Sequence, residues 1–162
     1  MIGLPDLSNV PEVLQDKLPR SVAVVGAGPF DKYNISHLFR YLYNSDNPNP
    51  VSTPYINRRL DVIPHYRSSS NKQDLATWLN YIYWPSLKIG FIGRITVSNE
   101  LKRHGIMTAM RSYYRGEIKK AGITDLYTMG YSQDGKAFMS AMGWTFIEIP
   151  GYTKNVWGHI TT

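Results

Sequence analysis

The sequence predicts one α/β domain built on a mixed sheet, and three observations predict it. Short β-branched and apolar runs of strand type alternate with segments whose apolar residues recur every three or four positions. The chain has 162 residues, 43% of them hydrophobic, which is enough for one real core and short for two. No internal repeat or low-complexity tract interrupts the pattern. The expected organisation is an N-terminal arm over 1–20 and a single domain over 21–162.

Residues 1–20 carry Pro5, Pro11 and Pro19 with weak periodicity, and read as an arm lying on the surface with room for one helical turn. SVAVVG at 21–26 is a β-branched run ending in glycine, the pattern of a buried strand; Ile35, Leu38, Phe39 and Leu42 then recur at helical spacing. The proline-rich stretch at 44–54 is the obvious long loop. Strand patterns follow at 60–66, 78–84 and 88–97, with Pro64 confining the first to a sheet edge or a bulge because it has no N–H to donate. After Gly105, the residues Ile106, Met110, Tyr113, Tyr114, Ile118 and Ala121 trace one helix face, Arg111, Arg115, Lys119 and Lys120 take the outer one, and Gly122 ends the helix. A strand at 123–129, a short helix after Asp134 with Ala137, Phe138, Ala141 and Met142 inward, a strand at 144–149 and an extended segment from Tyr152 to Ile160 complete the chain.

Composition removes several classes of function. No stretch approaches the roughly 18 uncharged apolar residues of a membrane helix, so a spanning protein is not expected. The N-terminus lacks a basic region followed by an apolar run, which leaves a cytoplasmic location as the expectation. Without cysteine there is no disulfide, thiolate zinc site, iron–sulfur cluster or cysteine nucleophile. His37, His65, His104 and His159 include no pair at i, i+4, and no metal site is expected.

The net charge of +6 is informative through its placement. Between Lys88 and Gly122 stand Lys88, Arg94, Lys102, Arg103, Arg111, Arg115, Lys119 and Lys120 against only Glu100 and Glu117; the rest of the chain balances. A surplus confined to one segment points to an anionic ligand: a phosphorylated cofactor, nucleic acid or an acidic partner; a solvated helix face is the bland alternative. Two glycine turns compete for such a ligand. VAVVGAGPFDK at 22–32 has Gly26 and Gly28 after a strand, but Asp31 stands where a dinucleotide fingerprint needs its third glycine, and a carboxylate there repels a pyrophosphate. ITVSNELKRHGIMTAM at 95–110 joins a strand to a helix start ringed by Lys102, Arg103 and His104. Free N–H groups and the helix dipole favour an anion at such a place.

The segment from Ile95 to Met107 resembles, without a gap, the strand-to-helix signature of the GCN5-related N-acetyltransferases, whose core is Gln/Arg-x-x-Gly-x-Gly/Ala. A second pattern of that family, A-x-x-F-Y-E-x-L-G-F, resembles Gly135 to Trp144 at the expected distance downstream. The likeness covers 88–149; over 21–84 only the order of elements supports it. It implies a mostly antiparallel central sheet flanked by helices, and acetyl-coenzyme A as co-substrate. The pyrophosphate would lie on the amides of Lys102, Arg103, His104, Gly105, Ile106, Met107 and Thr108, and the pantetheine arm would pair with strand backbone near Ile95 and Val97. No metal is implied.

The departures bear on chemistry. Met107 stands at the second Gly/Ala, Lys102 replaces the Gln/Arg and loses its planar fork, and Ser132 replaces a common asparagine. Met139 replaces the tyrosine that often protonates the departing thiolate, and a thioether has no proton to give. Tyr131, just past the strand at 123–129, is the candidate replacement acid. Asp61, His65 and Glu100 are the titratable residues near the relevant strands, and none is singled out as the base. The expected function is acetyl-CoA-dependent N-acetyl transfer to an unidentified amine. The alternative is a non-catalytic protein of the same fold, a structural or interaction component such as this fold sometimes provides in bacteriophage virions, with the arm as a candidate protein contact and an oligomer compatible with either. A nucleic-acid binder comes third, because no recognition motif is present.

Overall fold

The computed structural model describes residues 19–44, 50–64, 78–96, 106–130, 133–150 and 156–162. Its elements run β1 (Pro19–Gly26), α1 (Lys32–Tyr43), β2 (Ile56–Pro64), β3 (Trp78–Trp84), β4 (Ile89–Thr96), α2 (Ile106–Lys120), β5 (Asp125–Gly130), α3 (Gln133–Ala141), β6 (Thr145–Ile147) and β7 (Val156–Thr161). Seven strands are hydrogen-bonded in the order β1-β2-β3-β4-β5-β7-β6. β1 is antiparallel to β2, and β7 to both β5 and β6, whereas β4 and β5 are parallel. This is the mixed, mostly antiparallel sheet that the sequence predicts, with the final strand inserted between β5 and β6.

Contacts group the described residues into two compact units. The first holds β1, β2 from Arg58 onward, the start of β3, the end of β4 and α2 through Glu117. Here β1 begins at Pro19, inside the stretch read as an arm, and Pro19 pairs with Pro64 at the end of the β1–β2 ladder. Two prolines sharing the terminal rung leave the interior N–H groups of both strands intact. Of the two places expected for Pro64, the structure shows the second: β2 lies between β1 and β3 and is no edge strand, but the β1–β2 register shifts between Pro19 and Ser21, an irregularity at the rung that Pro64 occupies. Leu60, Leu79, Tyr81, Met110 and Tyr114 are buried, and the rings of Tyr81 and Tyr114 lie 5.8 Å apart.

The second unit holds α1, the end of β3, most of β4, and everything from Ile118 onward. Ile35, Leu38 and Phe39 of α1, three of the four residues read as its apolar stripe, enter a core with Ile82, Trp84, Ile89, Phe91, Tyr127, Ile149 and Trp157; the fourth, Leu42, packs against it half-buried. Trp84 is wholly buried and its indole N–H donates to the Pro50 carbonyl at 2.9 Å. Asp31, which breaks the dinucleotide pattern, caps α1 by accepting from the Asn34 amide at 3.1 Å.

Both later helices stop at a glycine with positive φ, Gly122 at 80° and Gly143 at 84°. The pairs Gly122 N to Lys119 O with Ile123 N to Ile118 O, and Gly143 N to Ser140 O with Trp144 N to Met139 O, are Schellman caps. The apolar residues that flank the caps, Ile118 and Ile123 at one and Met139 and Trp144 at the other, are all four buried. The cap sets the phase of α3 and corrects the sequence reading. Met139 faces inward, while Ala137 and Ala141 are exposed and Met142 is half-buried. Alanines bury too little surface to fix a helix face against a methionine and tryptophan that bury much more.

Candidate functional site

Two elements flank the segment expected to hold the site. β4 ends at Thr96, with Ile95 in its last turn of pleat, and α2 opens at Ile106, followed by Met107 and Thr108. Val97, Glu100, Lys102, Arg103, His104, Gly105, Tyr131 and Ser132 lie outside the described residues, as does His65. Of the cations read as an outward face of α2, Lys119 and Lys120 are exposed, whereas Arg111 and Arg115 are half-buried beside the buried Tyr114. Burial pushes the Tyr114 phenol up, and the charges of Arg115 and Arg111 work against that rise.

The parallel β4–β5 ladder is short. Its register runs Ile89 with Asp125, Gly90 with Leu126, Phe91 with Tyr127 and Ile92 with Thr128. Among the described residues Gly93 and Met129 do not continue it, although β4 runs on to Thr96. Met129 and Gly130 pair instead with Trp157 and Val156 of β7. On the last rung the hydroxyl of Thr128, 6% exposed, donates to the carbonyl of Ile92 at 2.9 Å. A parallel pair closes with a side-chain bond where its backbone pairing stops.

Beside that rung stands Met139 of α3. Across the β5–β7 ladder Thr128 faces Gly158. A Cβ on Gly158 would lie 2.5 Å from Met139 Cε, 3.3 Å from Trp144 Cβ and 3.4 Å from Thr128 Cγ2. Met139 thus bends onto the bare backbone of β7, 4% exposed, and glycine at 158 makes room for it.

At the other end of β5 a polar cluster ties several segments together. Asp125 Oδ1 lies 2.7 Å from His159 Nε2, and Asp125 Oδ2 accepts from the Thr124 hydroxyl at 2.8 Å. The amides of Thr124 and Asp125 both donate to the Lys88 carbonyl. Tyr127 lies against the His159 imidazole with ring centroids 4.9 Å apart. Desolvation pushes the Asp125 carboxyl up, but the hydrogen bonds from His159 and Thr124 and the charge of His159 outweigh it, leaving the carboxyl below its ordinary range. Burial first, then the charge of Asp125, raises the phenol of Tyr127 to about 12, and the same two causes raise Tyr43.

In the first unit Glu117 of α2 accepts from Arg58 Nε and from the hydroxyl of the wholly buried Tyr81, at 3.0 and 3.1 Å. Burial, followed by the charge of Glu117 and the hydrogen bond to it, drives that phenol far up. Neither this anchor, nor Thr128, nor the Asp125–His159 pair was legible in the sequence. Each joins residues distant in the chain, and no local spacing marks them. Among the described residues no group of three or more histidines, cysteines or carboxylates could hold a metal.

Solved structures share this architecture. An acetyltransferase of Thermus thermophilus superposes with a TM-score of 0.55 at 13% identity, over 90% of this chain and 99% of that one. A Klebsiella pneumoniae protein assigned as an acyl-CoA N-acyltransferase gives 0.54 at 12% identity, over 87% and 96% of the two chains. An acetyltransferase from Bacillus cereus gives 0.50 at 12%, over 83% and 95%. No protein-family model and no curated protein matches the sequence. The chain therefore has the GCN5-related N-acetyltransferase fold, and at these identities the likeness is one of fold. Among the described residues no helix is long and apolar enough to cross a membrane.

Proposed function

We propose that the chain is an acetyl-CoA-dependent N-acetyltransferase acting by direct transfer to an amine. The observation that carries this reading is the short parallel ladder: β4 continues past Ile92–Thr128 and leads, across the basic segment, into the start of α2 at Ile106. That order supplies what the ligand's two halves need. The extended backbone at Ile95 would offer its amide and carbonyl to pantetheine, with Val97 expected beside it from the resemblance, and the cations of the sequence from Lys102 with the amides at the start of α2 would serve the pyrophosphate. The Klebsiella pneumoniae protein of similar fold is assigned as an acyl-CoA N-acyltransferase, a name in keeping with this reading.

In the reaction the amine nitrogen attacks the thioester carbonyl carbon, the C–S bond breaks, and the amine loses a proton while the thiolate gains one. The protein's contribution is orientation and a polarised carbonyl. Met139 has no proton for the thiolate, so the acid is Tyr131 or solvent. The test is release of free thiol from acetyl-CoA across a panel of primary amines, in wild type and in Tyr131→Phe. Turnover that falls in the variant with unchanged coenzyme A affinity supports Tyr131; no release with any amine removes the enzymatic reading.

The buried Met139 favours a second reading, a non-catalytic protein of this fold that serves assembly or interaction. It predicts no thiol release, and a protein partner engaging residues 1–20.

A further inference from the structure

Asp125 opens β5 with spare acceptor capacity. Its Oδ1 lies 2.7 Å from His159 Nε2 and its Oδ2 accepts from the Thr124 hydroxyl. An ionised carboxylate has about four lone-pair sites, so these two bonds leave part of its capacity unused, and the side chain is 35% exposed. Among the described residues His159 is the one basic side chain paired with it. The last turn of α1 lies nearby, within the same compact unit. Burial is the largest cause that raises the phenols of Tyr43, in that turn, and of Tyr127, but the charge of Asp125 raises both, and Tyr43 and Tyr41 raise Tyr127 further. Charges act this way only over short distances, so the three rings and the carboxylate share one neighbourhood.

That neighbourhood attracts positive charge by three routes. Asp125 supplies a full negative charge. α1 ends at Asn44 in the left-handed region, with φ of 48°, and the carbonyls of its last turn form the negative end of the helix dipole. The rings add their quadrupoles, whose faces attract cations. Tyr41 and Tyr43 are each 44% exposed; the buried Phe39 meets the Tyr43 ring edge-on with centroids 5.5 Å apart, and His159 lies against Tyr127 at 4.9 Å. A hard metal ion does not suit this set, since it takes about six or more oxygens, and among the described residues no group of three or more histidines, cysteines or carboxylates could hold one. A cation whose charge is spread over alkyl groups does suit it.

We propose that Asp125, the last turn of α1 and the rings of Tyr41, Tyr43 and Tyr127 form a binding site for an organic ammonium ion, with the carboxylate supplying the charge and the rings a surface for its alkyl groups. The site goes beyond the acetyl-CoA reading and does not rest on it.

The test is an NMR titration of the intact chain, without coenzyme A, using choline chloride as the probe. Two controls accompany it: the uncharged isostere of choline, in which carbon replaces the nitrogen, and sodium chloride at equal ionic strength. Choline should give saturable, millimolar shifts of the backbone amides of Tyr43, Asp125, Tyr127 and His159, and neither control should reproduce them. Tyr43→Phe keeps the ring and should keep the affinity, whereas Tyr43→Leu should weaken choline binding about three- to tenfold. Asp125→Asn keeps the shape and loses the charge, and should weaken it about fivefold. The spectrum of each variant reports its folding, and the comparison of choline with its isostere needs only wild type. No saturable shift with choline overturns the proposal. Equal binding of the isostere, the same shifts with sodium chloride, or unchanged affinity in a folded Tyr43→Leu or Asp125→Asn also overturns it. Because coenzyme A is absent throughout, such a failure leaves the acetyl-CoA reading standing.

Discussion

Asp125, the first residue of β5, holds the imidazole of His159 on β7 at 2.7 Å, with the Tyr127 ring against that imidazole. The pair couples strand pairing to acid. The carboxyl sits below its ordinary value in the fold, so its stabilisation is fully present above the unfolded value of about 3.9 and is lost as pH falls through the folded value. His159→Phe keeps a ring beside Tyr127 and removes the hydrogen bond. Thermal melts against pH should show a shallower acid limb below pH ~5 for this variant, the difference being under about 1 kcal/mol because the Asp125 side chain is 35% exposed. A limb as steep as wild type would remove the pair from the acid response.

Gly158 and Met139 should behave as one site. Gly158→Ala places a methyl against Met139, Trp144 and Thr128, and should cost about 1–3 kcal/mol in denaturant melts. Adding Met139→Ala should recover part of that loss, a coupling above about 0.5 kcal/mol. Additive losses would mean that the methionine is not what glycine accommodates. Met139→Tyr should lower the melting temperature for the same reason, since a rigid ring cannot bend onto β7 as a thioether does.

Two glycines of the α2 region should respond with opposite signs. Gly116 has open space around an added Cβ and lies within α2, so Gly116→Ala should stabilise by about 0.5–1 kcal/mol. Gly122 has φ of 80° in the Schellman cap, so Gly122→Ala should destabilise by about 1 kcal/mol despite equally open space. Equal effects in chemical denaturation would contradict the helix end described above.

Glu117→Ala removes the acceptor that Tyr81 and Arg58 share and should cost about 1–3 kcal/mol, because the phenol is wholly buried. Glu117→Gln keeps an acceptor for Tyr81 and should cost less. A cycle with Tyr81→Phe should show that the alanine penalty shrinks once the phenol is gone.

Much of the fold was legible because its signals are local. The 78–84 strand stands where its run of large apolar residues around Asn80 predicts, and Gly122 ends α2 as its placement predicts. The phase of α3 was not legible, since the competing alanines and methionines carry similar periodicity and only the cap and Gly158 decide between them. Pro64 was legible as an edge or bulge position, and the choice between the two was not, because it depends on its rung partner Pro19, 45 positions away, where the ladder shifts register. Of the expected site, only its flanking elements, a strand and a helix start, lie among the described residues. The Thr128–Ile92 bond and the Glu117 anchor depend on strand register and helix rotation, which no spacing along the chain encodes.

The measurement that bears most directly on the acetyl-CoA reading is calorimetric titration of the intact chain with acetyl-CoA, beside Gly105→Glu. The account predicts saturable binding with Kd in the range of about 1 μM to 1 mM usual for enzyme substrates. It also predicts loss of that binding in the glutamate variant, which places a carboxylate where the pyrophosphate would sit. A folded wild-type chain that gives no binding heat by ~1 mM, or a glutamate variant that binds as well as wild type, would contradict it.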